Sequence, residues 1–122
     1  MLYVEVADNP YSHERGLMFR KDLQPNAGML FVFRSPQVRS FWGLNTYLPL
    51  DVAFVSTDNK IMKIGRIKPL CNDAVSSDDT CLMAIEANEG YFEKNGITEG
   101  HQVILDKDNL GFRVVRFEKK SK

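Results

Sequence analysis

"SFWGLNTYLPLDVAFV", Ser40–Val55, is the most apolar long stretch of the chain, yet it holds a carboxylate, Asp51, between Leu50 and Val52. Its second half, "LDVAFV" (50–55), reads as a strand, followed by the hairpin turn "STDNK" (56–60) and a partner strand, "IMKIGRI" (61–67). Asp58 and Asn59 are residue types that tolerate positive φ in such a turn. A buried, ionised carboxylate is costly unless a cation or several N–H groups compensate it. Asp51 therefore needs partners, and the search for them organises the reading of the rest.

To the N-terminal side, "LYVEV" (2–6) alternates apolar and polar residues as a half-buried strand does. The chain thus begins within a structured element, which fits either a compact cytoplasmic protein or one whose leader has been removed. "DNPYSHERGLMFR" (8–20) opens with Asn9 and Pro10, a cap and a first-turn proline, and predicts a short helix with Leu17 towards the core. "QPNAG" (24–28) is turn chemistry. "MLFVF" (29–33), apolar on both faces, predicts a central strand that "RSPQ" (34–37) ends, and "VRSFWGL" (38–44) predicts the next strand.

Beyond the hairpin, residues 68–80 form a long polar loop and "CLMAIEA" (81–87) a strand. "NEGYFEKNG" (88–96) predicts a second short helix, capped by Asn88 and closed by Gly96. "HQVILD" and "FRVVRF" (101–106 and 112–117) complete a last hairpin. About eight short strands and two short helices, joined by tight turns, predict a mainly β, β-rich α+β protein: an antiparallel sandwich or partly closed barrel.

Bulk properties agree. The length of 122 residues suits one domain, expected over residues 1–118 with a basic tail at 119–122. Hydrophobic residues make up 43% and charged residues 26%, ordinary globular values. Lys plus Arg equals Asp plus Glu at 16 each, so the surplus of cations that phosphate backbones attract is missing and nucleic acid is not an expected partner. No apolar run approaches the ~20 residues that a spanning helix needs.

In order along the chain, "VEVAD" (4–8), "RGLMFR" (15–20), "GMLFVF" (28–33), "SFW" (40–42), "NT" (45–46), "PLDVAF" (49–54) and "EANEGYFEKNGITEGHQV" (86–103) resemble the motifs of the bacterial and archaeal family called domain of unknown function 192. The resemblance covers roughly residues 3–105, and so many motifs in one order are far more specific than any one alone. It implies a compact β-rich domain with two short helices and no assigned activity. Many members carry a secretory or lipoprotein leader, which implies an extracytoplasmic setting, periplasmic or secreted. One departure stands out. The family usually has Met-Lys after the Trp, where this chain has Gly43-Leu44, so no role can rest on that Lys or on that sulfur.

For Asp51 the structural reading is that it accepts backbone N–H groups or an Arg and fixes the 45–49 turn. The functional reading joins Asp51 to Trp42, Asn45, Thr46 and an arginine from Arg15, Arg20 or Arg39 as a pocket for a small polar ligand. An aromatic ring beside hydrogen-bonding groups is a common way to hold such a molecule. On that reading the protein is a non-enzymatic binding or accessory module without a cofactor. One alternative is a small hydrolase with Asp51 and Glu86 as its acid–base pair, since these are the acidic residues embedded in strong strand patterns. Another is a structural or interaction domain that docks a protein partner through exposed Tyr47, Tyr91 and Phe92. His13 and His101 lie in polar contexts that suit surface histidines.

Cys71 and Cys81, with nine residues between them, stand at the two ends of a polar loop. They fit a disulfide, or else two unrelated free thiols. Two thiols without a nearby His do not make a zinc site, and no metal is expected; Met18 and Met29 read as core gap-fillers. Some family members have a Cys pair in this loop, so the resemblance implies a bridge here and supports the extracytoplasmic setting.

Overall fold

A computed structural model describes residues 1–119; Lys119 is exposed, and Lys120 and Lys122 of the basic tail lie outside the described residues. Nine strands and two helices follow in the order β1 (Leu2–Ala7), α1 (Pro10–Arg15), β2 (Ala27–Gln37), β3 (Ser40–Phe41), β4 (Leu50–Val55), β5 (Ile61–Ile67), β6 (Val75–Ser76), β7 (Cys81–Asn88), α2 (Tyr91–Lys94), β8 (Gln102–Lys107) and β9 (Arg113–Glu118). Seven strands form one sheet in the order β5-β4-β7-β2-β1-β9-β8, and β3 pairs with β6 alone. At one corner the edges of this sheet meet: Lys60 bridges to Gln102, and the Val103 N–H donates to the Asn59 carbonyl at 2.7 Å. The sheet is a curled half-barrel, the partly closed barrel that dense short strands predict.

One pair departs from the antiparallel expectation. β1 and β2 run parallel, from Tyr3 opposite Ala27 to Ala7 opposite Phe31. Parallel neighbours need a long crossover, and residues 8–26, with α1 inside them, provide it. Asn9 caps α1 as predicted, accepting from the Ser12 N–H at 2.9 Å, with Pro10 in the first turn.

Three local expectations change. β2 does not stop at "RSPQ" but continues to Gln37, with a register shift against β7 between Val32 and Gln37. Pro36 falls within this irregular stretch, where a missing ladder N–H costs least. The strand predicted over residues 38–44 shrinks to Ser40–Phe41, because the chain turns at Gly43: the Thr46 N–H donates to the Gly43 carbonyl and the Gly43 N–H to the Cys71 carbonyl. The second helix begins after Gly90 rather than Asn88, whose side-chain amide instead donates to the carbonyls of Leu23 and Gln24.

β4 lies between β5 and β7, and all six of its residues are buried. A central strand covered on both sides reads as a continuous apolar run rather than an alternating one. One face of the sheet carries a core with Leu30, Ala53, Val55, Ile85, Ala87, Tyr91 and Phe92; the other carries Leu17, Phe31, Leu50, Val52, Phe54 and Ala84. Each fully buried Phe or Leu contributes roughly 1.5–3 kcal/mol relative to an exposed one. Tyr91 and Phe92 belong to the first core, at 4% and 1% exposure, which removes them from any docking surface; only Tyr47 of that trio is exposed.

Candidate functional site

Asp51 stands at the start of β4 and points to the face that carries α2. Its Oδ2 accepts the Gly90 N–H at 2.8 Å, and its Oδ1 pairs with the Arg66 Nε at 3.0 Å. Arg66 also reaches Glu89 Oε1 at 3.3 Å. The carboxylate thus holds the turn into α2 and the β4–β5 pair. Arg66, and none of Arg15, Arg20 or Arg39, is its cation. Asp51 is a tie between elements and is absent from the cleft that holds Trp42.

Glu86, in β7, is the second buried carboxyl and has the opposite surroundings. It pairs across the ladder with Val52 and Met29 and shares their face. At 5% exposure it has no hydrogen-bond or ion-pair partner among the described residues. Burial alone pushes its carboxyl up to about 8, so at neutral pH it is mostly protonated.

The Glu86 carboxyl lies in a cleft of about 370 Å³, lined by the α1 end (His13, Glu14, Arg15), Gly16 to Met18, the rings of Phe31, Phe33, Phe41 and Trp42, and Arg39, Ser40 and Thr46. Gly16 keeps the space over it open. With φ +47 it adopts a backbone that favours glycine, and a Cβ there would stand 3.2 Å from Phe31 Cζ and 3.8 Å from Glu86 Oε1.

Beside the cleft, three loops are knitted together. Phe19 (φ 66), Asn45 (φ 56) and Leu70 (φ 52) all hold left-handed backbones. The Phe19 N–H donates to the Asn45 carbonyl at 2.9 Å and the Leu70 N–H to the Thr46 carbonyl at 3.0 Å. For Phe and Leu such a backbone costs roughly 1–2 kcal/mol each and persists only where surrounding contacts fix it. A Cβ at Gly43 would fall 1.8 Å from the Lys68 carbonyl oxygen. The departure from the family's Met at this position is therefore matched by the 68–71 backbone closing directly over it.

Of the residues proposed from sequence, Arg15, Arg39, Trp42 and Thr46 come together in this cleft. Asn45 does not line it; its carbonyl accepts the Phe19 N–H. Arg20 is paired with Glu5, whose carboxyl it lowers. Arg39 lies 4.2 Å over the Phe33 ring and donates from Nη2 to the Ser35 carbonyl at 2.9 Å, while its buried Nε has no acceptor. His13 is no surface histidine: its Nε2 lies 3.0 Å and 2.8 Å from the carbonyl oxygens of Ala7 and Val32. Two carbonyls require that nitrogen to carry the proton, and the ring clips α1 to β1 and β2. His13 is half-buried and His101 buried, its Nδ1 beside the Thr98 N–H at 3.2 Å.

The hydrolase pair is ruled out by the ladder. Asp51 pairs with Ala87, one step from Glu86, so the two carboxyls project from opposite faces and share no cleft. The expected Cys71–Cys81 bridge is absent as well: both are free thiols. Cys81 is buried in the strand opposite Gln37, and burial pushes its thiol up, offset in part by Ser77 and Arg39. No group of three or more His, Cys, Asp or Glu side chains able to hold a metal ion occurs among the described residues, and no described helix is long and apolar enough to cross a membrane.

A half-barrel with this motif order defines a class. The chain matches the model of domain of unknown function 192 (DUF192), an "Uncharacterized ACR", over residues 1–105, and it belongs to that family. A solved structure from Sinorhizobium meliloti, named a candidate transcription regulator, is similar at 30% identity with a TM-score of 0.80, covering 95% of this chain and 81% of that one. A protein of unknown function from Novosphingobium aromaticivorans is similar at 32% identity with a TM-score of 0.79, covering 81% of this chain and 71% of that one. No curated protein matches.

Proposed function

We propose that the protein is a non-enzymatic small-molecule-binding module whose site is the cleft over Glu86, bounded by Trp42, Thr46, Arg15 and Arg39. The observation that carries this reading is the Glu86 carboxyl itself, 5% exposed, unpartnered, and opening into a cleft rather than into packed core. Buried polar groups are nearly always satisfied within the fold; one left free in a cleft is suited to a partner from solution. The volume, about 370 Å³, falls within the range of small-molecule sites, and four aromatic rings share the lining with polar and charged side chains. A DNA-directed role, as the name of the Sinorhizobium protein suggests, would call for a cationic surface, and the formal net charge here is zero.

An NMR screen of the 15N-labelled protein with fragments bearing cationic, anionic and neutral polar heads tests the reading. Hits should shift amides of Gly16, Thr46 and Glu86 together. Hits scattered over the surface, or gathered on the Asp51 face, would overturn it.

A further inference from the structure

Building on the cleft as a binding site, we infer that its ligand is a small organic ammonium ion whose N–H donors dock on the Glu86 carboxylate within the aromatic wall. Three observations select this chemistry. The Glu86 carboxyl, buried and lining the cleft, has no donor among the described residues, so a ligand that docks on it must bring donors. The rings of Phe31 and Phe41, in edge contact at 4.9 Å, line the cleft with Phe33 and Trp42. Phe33 already carries the Arg39 guanidinium on its face, so Trp42 is a lining ring without such a contact among the described residues, and an aromatic ring beside a carboxylate attracts an organic cation. A metal ion would need more oxygen or nitrogen ligands than one carboxylate provides, and no such cluster is present among the described residues.

The other charged and titratable groups of the cleft do not take Glu86's role. From α1 come His13, with Nε2 held by two carbonyls, and the exposed Glu14 and Arg15; ahead of β3 comes Arg39, held on Phe33 and Ser35. Neither guanidinium contributes to the shift at Glu86, which burial alone accounts for. Glu86 is therefore a carboxyl of this cleft whose charge no described side chain pairs once its proton leaves, although Arg15 and Arg39 share the lining.

Docking an ammonium on this acid releases one proton. The protonated carboxyl gives its proton to solvent, and the carboxylate accepts hydrogen bonds from the R–NH3+ group, which keeps its own three. Binding should therefore tighten as pH rises towards about 8, where free Glu86 ionises. An anionic ligand would show the reverse slope, because it favours the protonated acid.

Trp42 is the single tryptophan and lines the cleft, so its fluorescence reports occupancy. Propylammonium chloride, sodium propionate and 1-propanol, titrated into the whole chain at pH 6 and pH 9 at matched ionic strength, separate the charge types at constant size. Propylammonium should give a saturable change, tighter at pH 9 by roughly fifty- to a hundredfold, the ratio of ionised Glu86 at the two values. In wild-type protein, 13C NMR of the Glu86 carboxyl should show its titration moving to lower pH with saturating propylammonium, a readout that needs no variant. Glu86→Gln should abolish the pH dependence. Propionate or propanol binding as tightly as propylammonium, or weaker propylammonium binding at pH 9, would overturn the ammonium inference and leave the cleft as a binding site. If no probe moves either Trp42 or the Glu86 carboxyl, the cleft reading fails with it.

Discussion

Asp51 and Glu86 lie one register step apart on neighbouring strands and point to opposite faces of the sheet, since Asp51 faces Ala87 across the ladder and Val52 faces Glu86. A period-two side-chain pattern makes one step a change of side. Both carboxyls are 5% exposed, yet their surroundings diverge. Asp51 receives a backbone N–H and a guanidinium, so its charge is met within the fold. Glu86 receives neither and opens into a cleft. The same residue chemistry is structural in one place and available in the other.

Asp51 should then behave as a tie. Asp51→Ala removes the acceptor of the Gly90 N–H and the partner of Arg66, and should cost roughly 2 kcal/mol, the range for hydrogen bonds to a charged group. Arg66→Ala should cost distinctly less, because the guanidinium is half exposed and solvent screens the pair. Neither change should alter the response of Trp42 to fragments in the cleft. Urea melts of both variants, with Trp42 fluorescence as a second readout, check this; equal losses, or a changed cleft response, would contradict it.

Much of this architecture was legible in the sequence. β4 and β5 and the turn between them follow from local pattern alone, and the α1 cap from Asn9 and Pro10. Of the polar site read from Trp42, Asn45, Thr46 and Asp51 with an arginine from Arg15, Arg20 or Arg39, the cleft is lined by Trp42, Thr46, Arg15 and Arg39 and not by Asn45, Arg20 or Asp51. The misplaced residue was Asp51, and the cause is a bulge. Counting back from the Ser56–Lys60 turn, with Val55 opposite Ile61, sets Asp51 opposite Gly65; the register shift between Phe54 and Val55 moves Arg66 into that place. A one-residue bulge leaves no composition signal, so Arg66 passed as an ordinary strand residue. Glu86 was marked as a buried acid, but which face it used depended on β4–β7 register, a long-range pairing that local pattern does not fix. The parallel β1–β2 pair was invisible for the same reason.

The cysteines offer a check that is independent of any ligand. With two free thiols, a colorimetric thiol reagent should titrate two equivalents in denaturant without prior reduction. In the native state Cys71, half-buried, should react first, and Cys81, buried with its thiol pushed up, should lag until the protein opens. Cys71→Ser should leave stability within roughly 0.5 kcal/mol under oxidising and reducing conditions alike, as surface changes usually do. A loss confined to oxidising conditions would instead reveal a stabilising bridge.

Glu86 makes the sharpest stability prediction, and its direction opposes the usual one for a carboxylate. In the unfolded chain the group ionises near 4.5, whereas in the fold burial holds the proton until about 8. Between those values the folded state binds one more proton than the unfolded state, so stability falls as pH rises. Below 4.5 the group has no such effect; above 8 the loss is complete, because the charge must then be buried without a partner. Glu86→Gln keeps the shape and a neutral polar head, and removes this slope. In urea melts at pH 5, 7 and 9, the variant should gain on wild type from pH 5 to pH 7 and further to pH 9. At pH 5 the two should differ least, which separates linkage from a packing effect that would be the same at every pH. A constant difference across the series would show that Glu86 ionises near its ordinary value, and that the cleft does not hold its proton.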